Sequence, residues 1–348
     1  MPPNPPLEFT PALVESLERA NQALGRLDGI TLMLPDPDLF LYQYVRKEAL
    51  LSSQIEGTQS SLSDLLLFEL DETPGVPIDD VEEVSNYVAA LNHGLRRIRN
   101  DHFPLSLRLI REIHAVLLRG GRGANKNPGE FRKTQNWIGG RSPVVASFVP
   151  PPPERLDECL NAFERFLHEP KEHTSPLIKA ALAHLQFETI HPFNDGNGRV
   201  GRLLIALILC TEGVLREPTL YLSLYFKARK QQYYDQLDHV RSTGDWEAWL
   251  GFFLEGVSST SQQAVETAQK ILSLFTADRE KVRGLGRRAG SALQVFEQFT
   301  QHPILDGPTL RKALQLTQPT ILAAVDALHA MELINEITGQ RRNRVWVY

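Results

Sequence analysis

The chain has 348 residues, a formal net charge of -5 and 42% hydrophobic residues. This composition is ordinary for globular proteins, so it argues against a disordered chain and leaves room for two or more domains. No apolar run approaches the roughly 18 residues of a membrane span, and the first residues lack the pattern of a signal peptide, so we expect a cytoplasmic protein. Cys159 and Cys210 lie in apolar helical patterns and predict neither a disulfide nor a cysteine-based zinc site.

The first part of the chain, residues 8–70, reads as helices separated by a break at residues 34–37. The second helix runs from near Asp38 towards Gly57, a residue type that often ends helices. Glu56 then lies in the last turn, where its carboxylate faces the negative end of the helix dipole. A cationic partner would offset this cost, whereas the spacing alone favours a solvated side chain.

Two further helical patterns cover Val81–Leu95 and Leu105–Leu118. Residues 129–140 and 146–149 then predict two short strands around a glycine turn. Such a hairpin is marginally stable alone and must pack on the helical core. The strand pattern favours a purely structural hairpin and a binding edge about equally. A proline run precedes the next predicted helix, residues 155–167.

The centre of the chain carries two adjoining helical patterns. The first covers Leu177–Ile190 and should end at His191, because Pro192 disfavours helical geometry in the residue before it. The second, Arg202–Cys210, is apolar on all sides, which predicts a helix buried in the domain centre. Its N-terminus is formed by the turn at residues 196–198.

This turn combines features that suit a phosphate site. Glycines allow close approach of the backbone, and the free amides and dipole of a helix N-terminus favour an anion. Arg199 and Arg202 lie in the same first turn, where the dipole disfavours each by about 0.3 to 1 kcal/mol. A nucleoside triphosphate between the amides and the guanidinium groups would explain both arginines.

The remaining polar residues of the turn extend this hypothesis to chemistry. Asp195 would repel the triphosphate unless a divalent cation lay between them, and Mg2+ suits such a position. His191, at the mouth of the site, could take a proton from an attacking hydroxyl. Taken singly these are weak signals, since a histidine before proline is more often a turn residue and a lone G-x-G has many false positives.

The last part of the chain begins with a basic, glycine-rich linker, residues 283–290. Helical patterns at residues 291–301, 308–315 and 318–331 follow. Two strand patterns, residues 333–337 and 344–348, complete the order of a winged helix. This order predicts a separate C-terminal module of mixed α and β structure.

The charge of this module permits DNA binding. Residues 281–348 hold nine Lys or Arg and five Asp or Glu, whereas the whole chain is acidic. On DNA, Arg341, Arg342 and Arg344 would face phosphates from the wing, and Gln318 and Thr320 would lie near the start of the recognition helix. The charge excess is modest, which slightly favours a module for dimerisation or target docking.

The stretch from His191 to Arg202 resembles the Fic family signature H-P-F-x-D/E-G-N-G-R-x-x-R and matches every defined position. The resemblance implies an all-α Fic core with a short β-hairpin flap, followed here by a winged helix-turn-helix (α+β) domain. We expect an N-terminal helical region at residues 1–100, the core at 101–280 and the winged helix at 281–348. Fic proteins transfer AMP from ATP to a hydroxyl side chain of a target protein.

The resemblance also implies roles for single residues. His191 would be the general base, Asp195 the Mg2+ ligand and Phe193 a core anchor. The phosphates of ATP would be held by Gly196, Asn197, Gly198, Arg199 and Arg202, the last at the γ-phosphate. Doc-like kinases replace the second glycine of the motif by lysine, so Gly198 argues against kinase chemistry.

Three further expectations come from the same resemblance. Residues 52–57 are similar to the inhibitory motif S/T-x-x-x-E-G/N, with Ser52 at its start and Glu56 pairing with Arg202 in place of the γ-phosphate. The predicted hairpin matches the flap that holds a target segment by strand addition, with Ile138, Gly139 and Phe148 at its edge. Tyr233 or Tyr234 would line the adenine pocket.

The sequence therefore predicts an autoinhibited AMP transferase that uses ATP and Mg2+ and modifies a Ser, Thr or Tyr hydroxyl of a target protein or of itself. One alternative is removal of AMP from a modified protein, with Glu56 positioning a water. Another is a DNA-binding regulator whose Fic core does not use its chemistry. The intact motif favours the first function; a homodimer stays open, and no membrane partner is expected.

Overall fold

The computed structural model describes residues 6–33, 37–70, 76–120, 123–169, 174–339 and 344–348. Helices dominate these residues, as the sequence predicts. Their bounds are α1 Pro11–Met33, α2 Pro37–Ile55, α3 Leu62–Glu69, α4 Ile78–Arg99, α5 Leu107–Leu117, α6 Leu156–Leu167, α7 Pro176–Ile190, α8 Asn197–Thr211, α9 Ser223–Ala228, α10 Lys230–Thr243, α11 Trp246–Arg283, α12 Ala289–Gln301, α13 Gly307–Ala313 and α14 Gln318–Ala330. The strands are β1 Ile304–Asp306, β2 Asn335–Glu336 and β3 Val345–Val347. The predicted break at residues 34–37 lies outside the described residues except for Pro37.

Helices α7 and α8 form the centre of the main core. Both are buried on nearly all sides, and residues 203–209 of α8 are all apolar and nearly inaccessible to solvent. An all-round apolar helix is stable only when other helices cover it on every side. Trp249 of α11 ties this centre to its surroundings, since its indole N–H donates to the Ala181 carbonyl at 2.9 Å. The centre thereby fixes the turn that joins α7 to α8.

Helix α11 connects this core to a second, smaller one. Leu250 and Phe253 near its start belong to the main core, whereas Val282 near its end belongs to the second core. The predicted linker at residues 283–290 is therefore short: α11 extends to Arg283 and α12 begins at Ala289, with a single 3-10 turn between them. Val282 of α11 and Ala292 of α12 both belong to the second core, so both ends of the predicted linker pack as helices.

The second core lies between α12, α13, α14 and a three-stranded antiparallel sheet of order β1-β3-β2. In this sheet Leu305 of β1 and Glu336 of β2 both pair with Trp346 of β3. Strand β1 was not predicted, and the predicted strand at residues 333–337 is regular only at residues 335–336. Arg341 and Arg342 lie outside the described residues, and the assignment as a winged helix stays a prediction.

The predicted hairpin flap has less regular β structure than expected. The strand prediction for residues 129–140 and 146–149 was wrong: one isolated antiparallel bridge joins Ile138 to Phe148, with N–H to carbonyl distances of 2.9 and 3.2 Å. Gly139 and Gly140 have φ values of 70° and 68°, and residues 143–145 form a 3-10 turn, so the backbone between the two bridged residues leaves the extended conformation. The flap is a loop pinned at one point.

None of the helices in the described part of the chain combines the length and the apolar character that crossing a membrane requires.

Candidate active site

His191 lies at the C-terminal end of α7, where the helix was predicted to stop. It has the left-handed φ of 48°, and its N–H donates to the Phe187 carbonyl at 2.9 Å. The ring Nδ1 is 3.3 Å from the Glu188 carbonyl oxygen, which selects the tautomer with a proton on Nδ1. Nε2 is then an unprotonated acceptor, as a general base requires.

The electrostatic surroundings of His191 keep it neutral. Burial lowers the pKa of His191 to about 4, and the positive charge of Arg241 acts in the same direction. Burial also raises the pKa of Glu188 to about 7, so this neighbour adds little negative charge under acidic conditions. The imidazole can therefore accept a proton throughout the physiological pH range.

We expect His191 to titrate far below the ordinary histidine pKa of about 6.5. Because the pKa is depressed, the neutral ring persists as the pH falls through 6.5 and becomes protonated only near pH 4. An NMR titration of the imidazole resonances tests this, with His191→Gln assigning the signal. A His191 midpoint near 6.5 would contradict the burial argument.

Two residues that the sequence did not single out hold the backbone around His191. Arg132 is 3% exposed and donates from Nε to the His191 carbonyl at 3.0 Å, while its own N–H donates to the Pro192 carbonyl at 2.9 Å. Asn136 donates from Nδ2 to the carbonyls of His191 and Phe193, both at 3.1 Å. These bonds satisfy carbonyls that the end of α7 leaves without helical partners and maintain the left-handed conformation of His191.

Replacing Arg132 with Gln should destabilise the protein by about 3 kcal/mol, because several buried carbonyls lose a charged donor. On the AMP-transfer function that the family resemblance implies, the remaining folded protein should also bind Mg-ATP with unchanged affinity but transfer AMP more slowly, since the expected base, His191, loses its position. Denaturant unfolding and single-turnover kinetics measure the two effects. Arg108→Gln is the matched control, since the Arg108 side chain is 74% exposed. Equal behaviour of the two variants would rule out the positioning role.

The turn after His191 is fixed from within. Asn197 is 2% exposed, and its side chain accepts from the Phe193 N–H and donates to the Phe193 carbonyl, both at 2.8 Å. His114 stacks on the Phe193 ring at 3.7 Å and lies 3.0 Å from the Asp195 carbonyl through Nε2. Gly196, which immediately precedes the first residue of α8, has a left-handed φ of 76°. The Asn197 side chain thus shapes the turn, leaving the backbone amides of α8 for an anion.

Asp195 is the carboxylate at the mouth of this turn. Its Oδ1 accepts the Gly196 N–H at 2.6 Å, and the side chain is 39% exposed. An accessible carboxylate beside a turn whose free amides suit a phosphate fits Mg2+, which binds through one or two carboxylates together with phosphate oxygens. Within the described residues no cluster of three or more His, Cys, Asp or Glu forms a metal cage. The donor set therefore fits Mg2+ that arrives with a nucleotide.

Arg199 is less available than the sequence suggested. Its side chain is 4% exposed, and Nη1 lies 2.7 Å from Oε1 of Glu83 on α4. A second carboxylate, that of Asp195, lies 3.4 Å from Nη2. Glu83 was missed by the sequence analysis because it lies 116 residues away, inside an ordinary amphipathic pattern. Arg199 therefore joins α4 to the phosphate turn, and a phosphate contact would be shared with Glu83.

Arg202 is held by the last turn of α2 and by the residue that follows this helix. Its Nη2 lies 2.6 Å from Oε1 of Glu56, and its Nε donates to the Ser52 hydroxyl at 2.8 Å. Although burial opposes ionisation, Arg202 lowers the pKa of Glu56, so the pair is ionic. The Glu56 carboxylate also lies directly against Gly198, where a Cβ would collide with it. Glu56 thus occupies the N-terminus of α8, which would otherwise receive an anion.

The remaining predicted site residues differ in exposure. Tyr233 is 1% exposed and its hydroxyl lies 2.9 Å from His184 Nε2, which makes it a core residue. Tyr234 is half-buried, so of the two tyrosines it has a face available to a ligand. Phe148 of the flap lies 4.3 Å below the Arg241 guanidinium, which also donates to the Glu188 carbonyl at 3.1 Å. Ile138 and Gly139 adjoin this contact, so the flap is held beside the end of α7.

Known proteins resemble the chain in both sequence and fold. Family models match residues 14–96 (Fic/DOC family N-terminal) and residues 104–209 (Fic/DOC family). Protein adenylyltransferase Fic of Culex quinquefasciatus is 30% identical over 253 residues, covering 69% of this chain and 47% of that protein. Protein adenylyltransferase Fic of Aedes aegypti is 32% identical over 250 residues, covering 71% and 46%. The chain spans about half the length of these curated relatives.

Solved structures of Fic proteins share the fold. A Fic family protein from Desulfovibrio desulfuricans G20 superimposes with a TM-score of 0.64 at 21% identity, covering 98% of this chain and 97% of that one. Fic-1 (aa134 - 508) from C. elegans gives a TM-score of 0.57 at 26% identity, covering 75% and 74%. The two family models together span more than half of the chain and include the whole of the turn described above. The chain therefore belongs to the Fic/DOC family.

Proposed function

We propose that the chain is a protein AMP transferase held inactive by Glu56. The observation that carries this proposal is the Glu56 carboxylate, which lies on Gly198 and Arg202 at the N-terminus of α8. A carboxylate seated on these groups takes the position of an anionic ligand. The names of the insect relatives, protein adenylyltransferase, support the same chemistry.

The proposed reaction begins when Glu56 leaves Arg202 and the γ-phosphate of ATP replaces it. The target hydroxyl oxygen attacks the α-phosphorus, and His191 Nε2 takes the hydroxyl proton. A bond forms between that oxygen and phosphorus while the bond to the leaving pyrophosphate breaks. The backbone amides of α8 bind the phosphate charge. Asp195 would hold Mg2+, which supplies neutralisation of phosphate charge.

The flap is the proposed contact for the target protein. Arg241 connects the flap to α7, because its guanidinium stacks on Phe148 and donates to the Glu188 carbonyl. Phe148 forms the bridge with Ile138, and Val144 at the tip of the flap is 93% exposed. An extended target segment could add to the free edge of this loop by main-chain hydrogen bonds and bring a hydroxyl to His191. We place the adenine near Tyr234, whose face is accessible.

Labelled ATP tests the proposed function. The Glu56→Gly variant is incubated with ATP labelled at the α- or the γ-phosphate, with and without Mg2+, and label on protein is followed. The proposal predicts transfer of the α label only. Transfer of the γ label would identify a kinase and an opposite orientation of ATP. If neither label appears on the variant itself, or on lysate proteins when lysate is added, AMP transfer is refuted.

Removal of AMP is the alternative at the same site. Glu56 is ionised beside Arg202 and 36% exposed, so it could position a water for attack on a modified protein. In that case wild-type protein should release AMP from a modified substrate and Glu56→Gly should not. Protein modified by the Glu56→Gly variant is the substrate for this comparison.

We also propose that residues 281–348 form a winged-helix domain after a helical region at 1–100 and a core at 101–280. The order of α12, β1, α13, α14, β2 and β3 and the separate second core support this division. Gln318 is exposed and Thr320 partly exposed at the start of α14, as a reader of DNA would require. An electrophoretic shift that Arg341→Ala with Arg342→Ala abolishes would favour DNA binding; no shift would favour docking or a homodimer.

A further inference from the structure

A cavity of about 300 Å3 lies between α2, α11 and the C-terminal module, away from the nucleotide site. Its volume is at the lower end of the range of small-molecule pockets. Most of its wall is apolar or aromatic, formed among others by Tyr44, Tyr221, Leu274, Phe275 and Tyr348. Leu274 is 51% exposed at its rim, so the cavity is open to solvent.

One cation lines this apolar space. The ammonium of Lys47 lies 4.4 Å from the centre of the Tyr221 ring, and burial lowers the pKa of Lys47. In the part of the chain that the structure describes, no carboxylate forms an ion pair with it. The Lys47 ammonium can therefore pair with a ligand carboxylate without breaking an existing ion pair.

We infer that this cavity binds a small aromatic or aliphatic carboxylate. The apolar part of the ligand packs against Leu274 and Phe275, and its carboxylate pairs with Lys47. A neutral ligand would leave the partly buried ammonium unpaired, and a larger polyanion such as ATP would bury charge against apolar walls. Charge and shape thus select a monoanion with an apolar body.

The cavity shares a helix with the inhibitory contact. Lys47 lies on α2, and Glu56 follows the end of the same helix, about 14 Å along its axis. Buried bonds hold α2 in place between them: Glu48 accepts the Ser223 N–H at 3.1 Å, and Ser52 binds Arg202. The cavity has its present shape while Glu56 contacts Arg202. If release of Glu56 moves α2, a ligand that binds the present shape more tightly favours this contact and opposes binding of the γ-phosphate.

Calorimetric titration of the full chain with naphthoate tests the site. We expect saturable binding to wild type, about tenfold weaker in Lys47→Met and about tenfold weaker for neutral naphthamide. Leu274→Trp should abolish binding by filling the mouth of the cavity. Leu322→Trp, at a 44% exposed position of α14, is the matched control and should bind like wild type. No saturable binding to wild type, or equal affinity in Lys47→Met, would overturn the site.

The coupling to Glu56 rests on the proposed function and has its own measurement. Naphthoate should weaken Mg-ATP binding to wild type, and Mg-ATP should weaken naphthoate binding by the same factor. Neither effect should occur in Glu56→Gly. Weakening in both proteins would mean competition at the nucleotide site, and weakening in neither would overturn the coupling. Absence of Mg-ATP binding to Glu56→Gly would defeat the proposed function, while the naphthoate titrations alone still decide the cavity site.

Discussion

Glu56→Gly is expected to raise AMP transfer by about tenfold to a hundredfold, within the range of typical coupling energies between two sites. Arg202 is almost wholly buried, and its Nη2 lies 2.6 Å from the Glu56 carboxylate. That carboxylate also covers Gly198, so one side chain blocks both the guanidinium and the helix N-terminus. Removing it opens both groups to the γ-phosphate. Initial rates of α-label transfer at Mg-ATP concentrations well below saturation measure the gain, because saturating ATP would displace Glu56 in the wild type as well.

Two companion variants separate this effect from a general loosening of the fold. Glu56→Gln keeps the size of the side chain but loses its charge, so we expect an intermediate gain. Glu154→Gly makes the same substitution as the first variant at an exposed position of another turn and should leave the rate unchanged. A rate for Glu56→Gly equal to that of wild type would contradict the inhibitory role.

His191→Ala in the Glu56→Gly background is expected to lower AMP transfer by about 100-fold to 10,000-fold, the usual contribution of a general base. The left-handed backbone at His191 and the Nδ1 contact with Glu188 present Nε2 as the acceptor. Alanine removes this acceptor and leaves the phosphate-binding groups in place. Mg-ATP affinity should therefore stay within about threefold of the parent.

The control for this substitution is His239→Ala, because His239 lies on α10 with a side chain that is 43% exposed. That variant should transfer AMP at the parent rate. If His191→Ala retains most of its activity, His191 is not the base. If it loses Mg-ATP binding, His191 contributes to binding of ATP rather than to the chemical step.

Local signals predicted the helices around the site. Pro192 ends α7 at His191, and the all-round apolar pattern of α8 requires burial, so neither depends on distant residues. The strand prediction for the flap was wrong because the conformation of this segment depends on contacts with distant residues. Its residues have strand-like composition, but the backbone N–H of Arg132 donates to the Pro192 carbonyl instead of to a neighbouring strand, and the side chains of Arg132 and Asn136 bind carbonyls near His191.

Long-range contacts were the hardest to predict from the sequence. The partner of Arg199 is Glu83 on α4, which no local pattern distinguishes from other helical glutamates. Glu56 and Arg202 are 146 residues apart, and each alone looks like a charge at the unfavourable end of a helix. The family motifs suggested this pair, and the structure contains the contact. The cavity beside Lys47 left no signal in the sequence, because its lining comes from six separate segments.

Calorimetric titration of wild type and Glu56→Gly with Mg-ATP and with Mg-ADP tests the central claim that Glu56 takes the place of the γ-phosphate. The two ligands differ only in that phosphate. Glu56→Gly should strengthen ATP binding by about tenfold or more and ADP binding by less than about threefold. An equal gain for both ligands, or none for either, would contradict competition between Glu56 and the γ-phosphate for Arg202.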